Sequence, residues 1–145
     1  MHREKLITNA GAGLNDAFYI MQEIHQIFGT PAPRVPQVQE DFYVNRRAEW
    51  IRSEVVELLE ANGSLVEQAD AYLDIIVFAM GGLVELGVVP GNLYEIVIRS
   101  QLDKLWEDGK PRVREHDGKW IKPPSWQDPE PLLINEIEKQ VKNAS

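Results

Sequence analysis

The break at Asn62-Gly63-Ser64 constrains this chain more than any other feature. It separates two long segments with helical apolar spacing, one from about Glu40 to Ala61 and one from about 65 to Leu86. Asn62 and Gly63 are residues that end a helix by accepting a left-handed backbone. Ser64, followed three residues later by Glu67, is a capping box that starts the next helix. A connection this short leaves the two helices antiparallel and packed on each other. The second arm ends in IIVFAMGGLVELG, apolar nearly all round, which suits the centre of a bundle.

Acids thread this hairpin where contacts with neighbours are expected. Residues 53–74 carry six carboxylates: Glu54, Glu57, Glu60, Glu67, Asp70 and Asp74. Glu54 and Glu57 are three apart and share a helix face, as do Asp70 and Asp74, four apart. Counted outward from the turn, Glu57 lies level with about residue 68 and Glu54 with about residue 71. Four carboxylates therefore converge in one layer, while Glu60 reads as a solvated residue and Glu67 as a cap. Four facing acids raise each other's pKa and cannot all stay ionised without a partner. A hard divalent cation resolves the conflict, and an oxygen-only set suits Mg²⁺ or Mn²⁺. Helix bundles carry carboxylate metal sites in this way.

The rest of the chain extends the helical reading. Leu14, Phe18, Met21, Ile24 and Phe28 mark a first helix over residues 14–28, which Asn15 or Asp16 could cap and Gly29 ends. TPAPRVP is an extended connector. A fourth helix runs from near Pro90 to about Trp106. Beyond it, EDGKPRVREHDGKWIKPPSWQDP is polar and rich in Gly and Pro, and Asp117-Gly118 signals a tight hairpin. Asp128 and Pro129 open a short last helix with Leu133, Ile137 and Val141 on one face. The expected fold is all-α: a four-to-five-helix bundle, a single domain over residues 1–145, with a core over about 14–106 and a tail over 107–145 carrying a small β-hairpin.

Composition narrows the function classes. The chain of 145 residues has 43% hydrophobic and 26% charged residues, as a globular domain does. No apolar run is long enough to span a bilayer. The first residues, MHREKLITNAGAGLND, show no apolar leader with a cleavage site. The absence of cysteine excludes disulfides and thiolate metal sites, and a cytoplasmic location is expected. A net charge of −8 without a basic patch speaks against a nucleic-acid polymer as partner. It suits plain solubility, and equally a protein that concentrates divalent cations. The basic residues gather behind the acids, at Arg99, Lys104, Lys110, Arg112, Arg114, Lys119 and Lys122, so acid and base could form two halves of one site.

The order of these features resembles the all-α nucleoside triphosphate pyrophosphohydrolases of the MazG-like superfamily. That group carries E-E-x-x-E on one helix and E-x-x-D on the next. Here the first element is Ser53-Glu54-Val55-Val56-Glu57, with serine for the first acid. The second is Asp70-Ala71-Tyr72-Leu73-Asp74, in which Ala71 replaces the glutamate and Asp70 precedes it. Glu67-Gln68-Ala69-Asp70 fits the spacing literally, but Asp74 directly precedes the apolar run, which favours the first register. IHQIFGTPAP, Arg47, VIRSQLDKLWEDGK and DGKWIKPPSW extend the likeness over residues 14–128, with Gln101 for an expected asparagine.

The resemblance implies a Mg²⁺-dependent hydrolase, with Mn²⁺ as a substitute and one or two ions per site. It would cut a nucleoside triphosphate between the α and β phosphates. It places Glu54, Glu57, Asp70 and Asp74 in the metal and catalytic site. It points to Arg99, Lys104, Lys119 and Lys122 as holders of the pyrophosphate end, and to Gln101 and His25 as readers of the base, although His25 also suits a buried structural role. The substrate implied is dUTP or another deoxy or non-standard nucleotide; phosphoribosyl-ATP is the alternative, and a non-catalytic helical dimer is a third. Helix faces left uncovered by one chain imply a homodimer or a dimer of dimers.

Overall fold

The computed structural model describes residues 2–144. Among them it is all-α: α1 (Arg3–Phe28), α2 (Asp41–Glu60), α3 (Leu65–Leu86), α4 (Gly91–Leu102) and α5 (Glu130–Ala144). Among the described residues no helix is long and apolar enough to cross a membrane. The chain divides into two compact units. One takes in Asp16–Val89 and Gln140–Ser145, the other Met1–Asn15 and Pro90–Lys139.

The first unit is built on the α2–α3 hairpin, whose two helices pack together. Its turn follows the sequence closely. Asn62 and Gly63 take positive φ, 49° and 82°. The Ser64 hydroxyl accepts the Glu67 N–H at 3.3 Å, so the cap forms as predicted. α3 stops at Gly87, φ 69°, where a Cβ would lie 2.7 Å from the Pro33 carbonyl oxygen. The proline-rich connector is therefore pressed against the end of α3, and the Gln37 N–H donates to the Leu86 carbonyl at 2.9 Å.

In the second unit several expectations change. α1 begins at Arg3, eleven residues before the predicted start at 14. Asn9-Ala10-Gly11-Ala12-Gly13 looks like a helix breaker, yet the helix runs through it because Gly11 is a contact point. A Cβ there would sit 2.6 Å from Glu95 Cγ and 2.7 Å from the Gly91 carbonyl oxygen. Close approach to α4 outweighs the poor helix propensity of glycine. Asn15 does not cap its own helix; its Oδ1 accepts the Gly91 N–H at 2.7 Å. It thereby caps α4, whose N-cap residue Pro90 offers no side-chain acceptor.

α4 ends at Leu102, short of Trp106. The tail beyond it forms no strand among the described residues, only one antiparallel bridge between Val113 and Trp120. Arg114 N–H donates to the Lys119 carbonyl at 2.8 Å and Ile121 N–H to the Arg112 carbonyl at 2.7 Å, so the segment folds back on itself. Pro111, Pro123 and Pro124 flank it and lack the N–H a longer ladder needs. Asp128 Oδ1 accepts the Glu130 N–H at 2.9 Å and opens α5.

Candidate active site

Glu54 is the centre of the acidic layer. It is buried, 8% exposed, on the α2 face that meets α3. Its carboxyl is pushed up to about 7, first by hydrogen bonding with the Glu57 carboxyl, then by burial, then by the negative charges of Glu57, Asp74 and Asp70. The other three predicted acids thus all bear on Glu54. Glu54 Oε2 is buried with no hydrogen-bond partner. A buried, orphaned carboxylate oxygen is costly unless a ligand completes it.

Glu57 and Asp70 are exposed and Asp74 is half-buried. Glu57, Glu60, Glu67 and Asp70 line one cleft of about 350 Å³. Sequence reasoning set Glu60 and Glu67 aside, because spacing alone did not separate a solvated acid from one at the rim of a cleft. Among the described residues no three His, Asp or Glu side chains are gathered into a ready-made metal cage. The donors nonetheless have the right chemistry: oxygen only, mutually repelling, and one of them unsatisfied. Ser53 donates to the Trp50 carbonyl at 2.7 Å, and Ala71 is buried at 1% exposure.

The same two helices hold a second buried carboxylate, Glu85, and the sequence reading, which noted Arg47, did not foresee their pairing. Arg47 pairs with Glu85, whose side chain is 1% exposed. Arg47 Nε donates to Glu85 Oε2 at 3.2 Å, Nη2 donates to Oε1, and Nη1 donates to the Phe78 carbonyl at 3.0 Å. Gln39 Nε2 adds a further bond to Glu85 Oε2 at 2.7 Å. The glycines inside α3 make room for this network: a Cβ on Gly81 would stand 2.4 Å from Arg47 Nη1. The signal was present in a Gly-Gly pair and one glutamate inside an otherwise apolar run.

The second unit carries a cationic cleft of about 900 Å³. Lys104, Lys119 and Lys122 line it with Gln101, as do Arg114, Trp120 and Ile121, which were not singled out; no carboxylate lines it. Lys104 Nζ donates to Gln101 Oε1 at 2.8 Å. Arg114 bonds Asp117, which with the Lys119 N–H holds that carboxyl below the usual carboxylate range. Arg99 does not line the cleft; it makes a two-bond pair with Glu4 at 2.7 and 2.8 Å. His25 is buried at 6% exposure, and its Nδ1 bonds with the Pro31 carbonyl oxygen at 2.9 Å, which ties the connector to α1.

Residues 21–101, more than half of the chain, match the phosphoribosyl-ATP pyrophosphohydrolase family. The chain belongs to that family, within the MazG-like all-α pyrophosphohydrolases. It is also similar to the crystal structure of a "putative NTP pyrophosphohydrolase" from Exiguobacterium sp. 255-15, with 29% sequence identity over 88% of this chain and 98% of that one and a TM-score of 0.51. No curated protein matches the chain. Phosphoribosyl-ATP pyrophosphohydrolases and their relatives are hydrolases of phosphoric anhydrides, and the matched span encloses both acid-bearing helices. It ends at Gln101, so the tail residues of the cationic cleft lie beyond it.

Proposed function

We propose that this protein is a Mg²⁺-dependent nucleoside triphosphate pyrophosphohydrolase that cleaves between the α and β phosphates, giving a nucleoside monophosphate and pyrophosphate. The proposed substrate is dUTP or another deoxy or non-standard nucleotide. The observation that carries the reading is Glu54: buried, raised to about 7 by its acidic neighbours, and with one oxygen left unpartnered. Glu54, Glu57, Asp70 and Asp74 would hold one or two Mg²⁺ or Mn²⁺ ions. When bound, these ions neutralise the phosphate charge as the anhydride bond breaks.

The chain's own residues divide the remaining work. Lys104, Lys119 and Lys122 offer cations to the polyphosphate, and Gln101 offers an amide to the base. Glu60 and Glu67 line the acidic cleft and would be placed to orient the attacking water. Ser53, whose hydroxyl donates to the Trp50 carbonyl, cannot serve as the base, because a neutral alcohol is far too weak a proton acceptor at neutral pH. Leu65, Val66, Tyr72, Leu73, Ile76 and Val77 leave α3 with a long exposed apolar face, which supports a homodimer.

Phosphoribosyl-ATP is the second reading, favoured by the family match itself. The test is pyrophosphate release from a panel of ribo- and deoxynucleoside triphosphates and phosphoribosyl-ATP, with and without Mg²⁺, beside Glu57→Gln and Asp74→Asn. Metal-dependent release from a nucleoside triphosphate, lost in both variants, supports the first reading. Release from phosphoribosyl-ATP alone transfers the assignment to the second. No release by a folded protein that fails to bind metal returns it to a non-catalytic dimer.

A further inference from the structure

The chain has four tryptophans, and three of them are occupied within the fold. Trp50 packs on Phe78 with ring centroids 5.5 Å apart and lies under Arg46 and Arg47. Trp106 donates its indole N–H to the Ile121 carbonyl and carries the Arg112 guanidinium 3.8 Å from its ring centroid. Trp126 donates to the Ser100 carbonyl and carries Lys122 Nζ at 4.0 Å. The Trp120 side chain alone has neither a hydrogen bond nor a ring or cation partner among the described residues. It is 53% exposed, and it lines the cationic cleft.

An indole left open to water on a short tail contributes little to the fold. Its backbone pairs with Val113 in the one bridge of the tail, a contact that does not use the ring. The cleft around it is rich in cation donors and free of carboxylates, which selects an anionic ligand. Cations and an open aromatic face together suit a ligand that is both polyanionic and planar, since bases stack on aromatic side chains while phosphates take the charge. Inorganic polyphosphate would satisfy the lysines and leave the ring unused.

We propose that Trp120 is the stacking platform for the nucleobase in the cationic cleft, and so separates nucleotides from other polyphosphates. The proposal rests on the nucleotide reading above and adds a binding residue to it. Stacking tolerates any base, so the discrimination is for the presence of a base rather than its identity.

The test is binding, measured by calorimetry with Mg²⁺ present. The probes are α,β-imido-dUTP and α,β-methylene-ATP, which resist cleavage between the α and β phosphates, and inorganic tripolyphosphate. The wild-type chain is compared with Trp120→Leu and Trp120→Phe. The proposal expects the wild type to bind at least one analogue more tightly than tripolyphosphate. Trp120→Leu then weakens that analogue by about tenfold or more and leaves tripolyphosphate unchanged, while Trp120→Phe stays within about threefold of wild type. Three results would overturn it: wild-type affinity for both analogues no greater than for tripolyphosphate, no effect of Trp120→Leu, or equal loss of all three probes. Trp120-dependent binding without pyrophosphate release from the natural triphosphates would sink the catalytic reading and leave this one standing.

Discussion

Glu85 on α3 and Glu54 on α2 are both buried carboxyl groups, and the fold treats them differently. At Glu85 each carboxylate oxygen accepts from a guanidinium, a glutamine adds another bond, and Gly81 is kept small so that the arginine fits. At Glu54 the nearest polar groups are more carboxylates, one oxygen has no partner, and the group holds its proton to about 7. A structural charge is paired by the chain itself. A charge left unpaired among its own kind is the contrast on which the proposed cation site rests.

Breaking the paired region has the largest expected effect on stability. Glu85→Ala leaves a buried guanidinium uncompensated and is expected to cost about 3–5 kcal/mol, read from denaturant unfolding. Replacing both partners, as Arg47→Met with Glu85→Leu, should recover much of that loss. Equal losses for the single and double variants would show that the pair is not the unit that matters. Gly81→Ala sharpens the same side of the comparison. Its Cβ meets Arg47 Nη1, and the expected cost is about 1–3 kcal/mol in the same assay, with little change in Gly81→Ala once Arg47 is Met.

The acidic region should respond to pH instead. The folded chain keeps the Glu54 proton up to about 7, whereas an ordinary glutamate releases it near 4.5. Between those values the folded state binds more protons than the unfolded one, so this group's contribution is full below about 4.5 and is lost as pH rises through 7. Without divalent cations the melting temperature should therefore fall between pH 5 and pH 8, and Glu54→Gln should flatten that slope. A profile that is the same in both proteins would remove Glu54 from the account.

How much of this was legible in the sequence depended on whether the cause was local. The α2–α3 turn was readable because Asn62, Gly63 and the Ser64 cap act through neighbouring backbone, and the predicted span of α3 matches Leu65–Leu86. That Glu57, Asp70 and Asp74 lie near Glu54 was readable because helical spacing and a short turn fix their level. The start of α1 was not, since Gly11 is helical only because α4 passes close to it, a contact between residues 11 and 91. Asn15 failed in the same way, capping a helix seventy-six residues away rather than its own. The Arg47–Glu85 pair and the open face of Trp120 depend on what surrounds each side chain, which spacing does not encode. Of the cations gathered behind the acids, Lys104, Lys119 and Lys122 meet in one cleft, while Arg99 is turned to Glu4.

Thermal melting at pH 7.5 against Mg²⁺ and Mn²⁺ shows whether the Glu54, Glu57, Asp70 and Asp74 layer holds the proposed divalent cation. A cation site here means that either ion raises the melting temperature of the wild-type chain in a saturable way. It also means that Glu54→Gln and Asp74→Asn lose the shift while Trp120→Leu keeps it. No shift in the wild type, or the same shift in Glu54→Gln and Asp74→Asn, would contradict it.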